Sequence, residues 1–600
     1  MNGLQTLKVE YDTFSDEWYK KVEEIVLGNY KFNEEQKKFI HYSESAVIEA
    51  GPGSGKTTAL AAKVALLLKK IEEEGSLTGV CVITHTNAAV DEILKVLKKL
   101  GYKDIPHPHF IGTIHEFFNK YGMYPFLKGA NKKLVDIHFA EEKILKKRFR
   151  NELAKNHQWL RSKESSFIRN SNNLLNRLIN SHLYFDEDGE LNAETYQSGA
   201  FEKYKNDYLI SKKESWENGV FHVNDTFCLS QNYFNFDSVR RRLQVRFKYL
   251  LMDEYQDASP LALQLLKKIF LVDENIFQMI GDSNQHIAYS NPEASTKGFK
   301  TYYLNQTNRF GDNIASILNK VFQNNLKPTD PRKSLQPILL LYKKPEKLSN
   351  CFESIVNQKD ILMANEHTAM LVAARSHAQI LGRKINKTNH QKLNSTFQKA
   401  KNEIYRFLAE RTKIHIQSIK RELQREYASN NLKINKALIE YYRGAADYRL
   451  IRDSINLFFK VFGLNSRINK SNRLFRKLEE LREVEYINST KICREYSLKT
   501  IHDLKGQTLK ANMVYLHKNS REEYSFLESY TDLQDPPVYY NEINKRVVFV
   551  AMSRATTFLS VALHVDTYDN LTEETKIKLK EDFIVQRDSD ILKEYTSKSI

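Results

Sequence analysis

The chain has 600 residues, 41% of them hydrophobic, with 91 Lys and Arg against 74 Asp and Glu, a formal charge of +17. That length exceeds the roughly 250–300 residues one core supports, so several domains are expected, and no run reaches the roughly 20 apolar residues of a membrane span. The basic balance favours a polyanionic partner, nucleic acid first, through phosphate neutralisation and counterion release.

Four cysteines, Cys81, Cys228, Cys351 and Cys493, are too dispersed for a metal knuckle or a disulfide framework. The polar start MNGLQTLKVEYDTFSDEW lacks the basic-then-apolar order of a secretory signal. A cytoplasmic protein with no membrane partner is expected.

In chain order, an apolar strand at 46–49 runs through a Gly-rich turn into a helical pattern at 57–74. A strand at 79–84 and a helix at 87–100 follow. Strand patterns return at 247–252, 277–280, 338–342, 369–374, near 498 and at 513–516. Strands alternating with helices predict parallel α/β sheets. Two charged stretches of helical spacing interrupt them, for example EEKILKKRFRNELAKNHQWL and NEIYRFLAERTKIHIQSIKREL. The expected organisation is a first core at 1–119 and 221–299 with a mainly helical insertion at 120–220. A second core at 300–383 and 487–600 carries a helical insertion at 384–486.

The segment AVIEAGPGSGKTTAL is a P-loop. Gly51, Gly53 and Gly55 let the backbone fold around a triphosphate, with Ser54, Lys56, Thr57 and Thr58 at the start of the helix. Backbone N–H groups meet phosphate there, Lys56 adds charge, and the Thr57 hydroxyl suits Mg²⁺. Ala50 stands where the strict pattern asks for Gly. LLMDEYQD adds adjacent carboxylates after a strand. Asp253 is the expected Mg²⁺ residue and Glu254 the base for the attacking water, while Gln256 and Asp257 are placed to link the site to the neighbouring core. The expected cofactors are ATP and Mg²⁺.

The order of motifs from Phe32 to Leu563 resembles the UvrD/Rep/PcrA family of superfamily 1 helicases. That resemblance implies two tandem RecA-like cores of the P-loop NTPase class and a set of site residues. In FNEEQ, Gln36 corresponds to the residue that reads adenine. In ITHTNAAVDEI and GTIHEFF, Thr84, Asn87, Thr113 and His115 correspond to DNA contacts. MIGDSNQHIAY places Gln285 at the terminal phosphate and Tyr289 as a base-stacking ring. LNQTNRFGDNI and RVVFVAMSRATTFLSVAL place Arg309 and Arg554 as arginine fingers, whose planar charge suits phosphoryl oxygens. LKTIHDLKGQTLKANMVYL supplies Thr500, His502 and Lys505 as further DNA contacts. Asn308 stands where the family has an adenine-stacking Tyr, and Gln507-Thr508 where it has Leu-Glu.

The resemblance implies an ATP-dependent DNA translocase or helicase moving 3′ to 5′ on single-stranded, tailed or forked DNA. The compact form and the Lys-Gly-Gln-Thr segment also resemble the UvrD-like subunits of bacterial Gabija-type defence systems. This implies the alternative of a DNA-stimulated ATPase that senses or remodels DNA for a separate nuclease in anti-phage defence. The stretch after the last motif is too short for a nuclease core of ordinary size, so cleavage is expected to reside in another chain.

Overall fold

In the computed structural model, the described residues are 12–129, 137–139, 145, 149, 181–194, 202–287, 296–322, 324–358, 368–381, 396–412, 419, 423, 428–442, 448–461, 473–480, 497–504, 507–531 and 541–591. The chain forms two units, one of Met1–Glu366 with Gln507–Ile600 and one of His367–Gly506.

In the larger unit, helices α1 (Asp16–Leu27) and α2 (Glu34–His41) precede strand β1 (Ala46–Ala50), helix α3 (Lys56–Glu73), β2 (Gly79–Thr84), α4 (Asn87–Lys99), β3 (Phe110–Thr113) and α5 (Ile114–Phe118). The chain continues through β4 (His138–Phe139), β5 (His182–Phe185), β6 (Leu191–Glu194), β7 (Val220–Phe221), β8 (Phe247–Asp253), β9 (Ile276–Gly281) and β10 (Lys300–Leu304). The first sheet has the order β10-β1-β9-β8-β2-β3, and every pairing in it is parallel. Its central strands are apolar on both faces, as a sheet covered on both sides requires. Ala59–Leu68 of α3 are buried on one face, against Ile48, Val82 and Leu251. On the other face, Phe117 and Phe118 of α5 and the helix Pro260–Phe270 cover Ile83, Leu250 and Met279.

Strands β11 (Gln306–Thr307) and β12 (Lys327–Pro328) pair beside this sheet's end, and β13 (Ile338–Tyr342) opens the second core. Numbering on from β14 (Thr368–Val372) and β15 (Ser497–Thr500), the larger unit adds β16 (Leu509–Tyr515), β17 (Ala555–His564) and β18 (Ile584–Arg587). Here β16, β17, β13 and β18 pair in that order, all parallel. The smaller unit contains β14 and β15, paired in parallel, and the helices Thr396–Thr412, Ala428–Tyr442 and Arg449–Val461 around Ile404, Leu408, Leu438, Ile455 and Phe458. The class is α/β with two RecA-like parallel sheets.

Within 120–220 the described residues include the helices Tyr124–Gly129 and Glu202–Glu217, and beside them β5 and β6 form an antiparallel hairpin and β4 pairs with β7. The hairpin turn is local chemistry: Asp186 Oδ1 accepts from Glu190 N at 2.8 Å, and Gly189 takes φ +80°. An Asp side chain bonded to the backbone four residues on, with a left-handed Gly between them, reverses the chain within a charged sequence that otherwise reads as helix. Among the described residues, no helix is long and apolar enough to cross a membrane.

Candidate active site

The P-loop joins the C-terminal end of β1 to α3. Gly53 and Gly55 take φ +82° and +73°, values at which Gly is at ease and other residues are strained. Space makes the same demand. A Cβ on Gly53 would collide with Arg309 Cβ and lie 2.5 Å from Thr307 Oγ1, and one on Gly55 would lie 2.5 Å from Gln36 Nε2. Ser54 is buried, with its Oγ lacking a hydrogen-bond partner among the described residues. Thr57 and Thr58 lie half-buried in the first turn of α3.

Lys56 Nζ lies 2.8 Å from Asp253 Oδ1 and 2.7 Å from Glu254 Oε1. Burial works against the ammonium, but the two carboxylates outweigh it and raise the Lys56 pKa. Burial is also the largest influence on Asp253 and pushes its carboxyl up, with Lys56 pulling the other way. At these separations the arrangement is an ion pair with Lys56 charged. Glu254 sits just past the end of β8 at φ +50°, a left-handed backbone that costs a non-Gly residue about 1–2 kcal/mol. It turns the carboxylate toward Lys56, and Gln256 Nε2 donates to Glu254 Oε2 at 2.5 Å.

Gln256 starts a chain of contacts leading away from Glu254. Its Oε1 accepts from Asp282 N at 3.3 Å. Gln285 Nε2 donates to Asp282 Oδ2 at 2.6 Å, and Gln285 Oε1 accepts from Arg554 Nη2 at 2.6 Å. Burial pushes the Asp282 carboxyl up to about 7. Arg554 is buried between β17 and the preceding helix Glu542–Met552, where it donates to Val550 O, Gln507 O and Ser553 Oγ. Burial first, then the nearby charge of Arg309, lowers its pKa to about 9. Burial likewise lowers the Arg309 pKa, and Arg309 Nη1 donates to Ser553 O at 3.0 Å.

The segment carrying Arg309 is stitched to the P-loop. Thr307 Oγ1 donates to Pro52 O at 2.7 Å, Asn308 N to Gly53 O at 2.9 Å, and Gly51 N to Leu304 O at 3.0 Å. Asn308 makes its P-loop contact through the backbone, so that bond does not depend on the side chain at this position. The Asn308 amide oxygen accepts from Thr329 Oγ1.

Gln36 is buried and committed at both ends of its amide. Nε2 donates to Ser54 O at 2.7 Å, and Oε1 accepts from Asn33 N at 3.0 Å in the capping box of α2. In this arrangement it braces the P-loop, and the second N–H of the amide and the second lone pair of its oxygen are left for a further contact.

Of the expected DNA residues, Thr84 and Thr113 end β2 and β3 as register partners. Thr84 Oγ1 donates to Thr86 O at 3.0 Å, Thr113 caps α5 through a capping box with Glu116, and Asn87 is exposed at the start of α4. His115 packs 4.9 Å from the Phe227 ring, and burial lowers its pKa. These four share the carboxyl edge of the first sheet. Thr500 and His502 belong to the smaller unit, buried and exposed respectively. Tyr289 and Lys505 lie outside the described residues.

Sequence reasoning missed Glu49, Tyr255 and Ser553. Tyr255 Oη donates to Glu49 Oε1, and Glu49 Oε2 accepts from Ser283 N at 3.0 Å, tying β1 to the turns after β8 and β9. The available signal was a carboxylate in the otherwise apolar strand AVIEA.

Known proteins share this arrangement of motifs. Residues 32–305 match the UvrD/REP helicase N-terminal domain. The chain is UvrD/Rep/PcrA-like. It is 25% identical over 312 residues to a probable DNA helicase II homolog of Mycoplasma genitalium, covering 48% of this chain and 42% of that protein. It is 25% identical over 298 residues to the ATP-dependent DNA helicase Rep of Buchnera aphidicola, covering 47% and 42%. Against the ATP-dependent DNA helicase PcrA of Staphylococcus aureus it is 25% identical over 315 residues, covering 49% and 40%. The matched stretch thus spans about two fifths of the length of these relatives.

The residues present fit a magnesium nucleotide. Gly53 and Gly55 give the turn the left-handed backbone of a phosphate-binding loop at the start of α3, and the buried Ser54 hydroxyl in the same turn has no partner among the described residues. Among the described residues, no group of three or more His, Cys, Asp or Glu could hold a metal alone. Mg²⁺ suits such a place because it is commonly held by one or two protein groups, water and substrate phosphate.

Proposed function

We propose that this protein is an ATP-driven DNA translocase and helicase working 3′ to 5′ on single-stranded or tailed DNA. The observation that carries the reading is the convergence of Lys56, Asp253, Glu254, Gln285, Arg309 and Arg554 around one P-loop. Phosphoryl transfer is governed by positioning and charge stabilisation, and these are groups of the required kind.

In this mechanism the backbone N–H groups of residues 53–57 cradle the phosphates, and Lys56 exchanges its carboxylate partners for phosphate oxygens. Glu254, released from Lys56, orients the attacking water and accepts its proton. Arg309 and Arg554 stabilise charge on the transferring group, while Gln285 links Arg554 to Asp282 and, through Gln256, to Glu254. Thr57 and Asp253 would hold Mg²⁺, which neutralises phosphate charge when bound. Motion requires that open and closed states grip DNA differently, since equal affinity would shift no equilibrium. Thr84, Asn87, Thr113, His115, Thr500, His502, Tyr289 and Lys505 are the proposed DNA contacts, consistent with a net charge of +17. The polarity follows from resemblance. The relatives named above are DNA helicases, which favours this reading over a nuclease-partnered defence subunit.

A strand-displacement assay on duplexes with a 3′ or a 5′ tail tests the proposal. Displacement from the 3′-tailed duplex alone is expected. Displacement from the 5′ tail contradicts the polarity, and DNA-stimulated hydrolysis with no displacement contradicts the helicase part.

A further inference from the structure

The amino edge of the first sheet, opposite the P-loop, carries a groove of about 630 Å³ lined by Leu77, Pro108, Arg241, Arg242, Val245 and Arg246 among its residues. It adjoins the starts of β2, β3 and β8, whereas the P-loop leaves the far end of β1. None of the proposed ATP or DNA residues lines it.

One wall is a face of the helix Asp237–Arg246, where Ser238, Arg241, Arg242 and Val245 recur at intervals of three and four. Leu77 is 92% exposed and Val245 61% exposed, an apolar pair that gains by being covered. Beside them stand three guanidiniums with donors to spare. Arg246 Nε donates to Pro108 O at 2.9 Å, and its guanidinium lies over the Tyr121 and Phe247 rings, which fixes its position. Arg242 Nε donates to Ser238 O, and Arg241 Nη1 meets Glu274 at 3.1 Å on the surface. Each guanidinium has five N–H donors, and these contacts use a small part of them.

We infer that this groove docks a segment of a partner protein that is acidic and carries apolar side chains. Its carboxylates pair with Arg241, Arg242 and Arg246, and its apolar groups cover Leu77 and Val245. The charge of the groove selects the acid, since Arg favours bidentate contact with carboxylates. Leu77 and Val245 select protein over nucleic acid, because a sugar-phosphate backbone offers them little to bury against. A partner seated there leaves the nucleotide site open.

The test is fluorescence anisotropy on the full chain with a fluorescein-labelled synthetic peptide that alternates Asp/Glu pairs with Leu and Trp. Polyglutamate and a single-stranded oligonucleotide serve as comparison probes. The Arg241→Glu/Arg242→Glu double variant and, separately, Leu77→Asp are each expected to weaken peptide binding by at least about tenfold. Melting temperature and ATP hydrolysis should stay unchanged, because the altered side chains are exposed. Three results overturn the inference: no peptide binding to the wild type, binding that neither variant alters, or binding matched by polyglutamate and insensitive to Leu77→Asp. An oligonucleotide that binds in preference to the peptide and is lost in the arginine variant makes the groove a nucleic-acid surface instead.

Discussion

Replacing Gln285 with Ala removes the bridge between Asp282 and Arg554. Two hydrogen bonds of 2.6 Å disappear, one from a guanidinium and one to a buried carboxyl. Bonds to charged groups contribute about 1.5–3 kcal/mol each. Gln285 is itself half-buried, so water recovers part of that, and a net loss of about 2–3 kcal/mol is expected. Urea unfolding of wild type, Gln285→Ala, Arg554→Lys and the double variant measures it. Arg554→Lys breaks the same bridge from the other side, so the two changes should be non-additive, with a coupling energy of about 1 kcal/mol or more. The same variants should lower kcat for ATP hydrolysis by about 10²-fold, the usual effect of losing a positioned charge-stabilising donor. Additivity within about 0.3 kcal/mol, with Gln285→Ala alone costing under about 0.5 kcal/mol, would refute the bridge.

Gly53→Ala should abolish binding of a fluorescent ATP analogue, because its Cβ collides with Arg309 and Thr307, whereas Gly75→Ala should retain binding. Gly75 also has a positive φ, +61°, but open space around it, so its substitution costs only the backbone term of about 1–2 kcal/mol; equal binding by both variants would contradict the stitched P-loop. Lys63 is buried in α3, where it donates to Phe39 O and Tyr42 O, and burial lowers its pKa to about 7. An unfolded Lys titrates near about 10.4, so above pH 7 the unfolded chain holds a proton that the native chain has released, and this group's contribution to stability rises with pH across that window. Subtracting the melting profile of Lys63→Met from that of the wild type should isolate a rise between those two pKa values, and a flat difference would contradict a neutral buried amine.

The P-loop and the Asp253-Glu254 pair were legible because their signals are contiguous: a strand, a turn and a helix within one short run of sequence. Gln285, Arg309 and Arg554 were legible only through motif order, since nothing local announces that residues 285 and 554 touch. The Glu49–Tyr255 contact spans 206 positions and was missed for that reason. The β5–β6 hairpin was missed because a single Asp-to-Gly turn decided the conformation against the helical spacing of its surroundings. At Asn308 the departure from Tyr is legible in the sequence, whereas the backbone bond from Asn308 N to Gly53 O is not, because any residue at that position could donate it. Gln36 was read as a base contact, and its place against Ser54 emerges only once α2 packs on the P-loop.

Whether this chain is a DNA-driven ATPase is read from ATP hydrolysis by the purified chain with and without single-stranded DNA, for wild type and Glu254→Gln. DNA-stimulated hydrolysis by the wild type is expected, with a loss of about 10²-fold or more in kcat for the variant and nucleotide binding retained. Hydrolysis that ignores DNA, or that survives Glu254→Gln undiminished, would contradict that role.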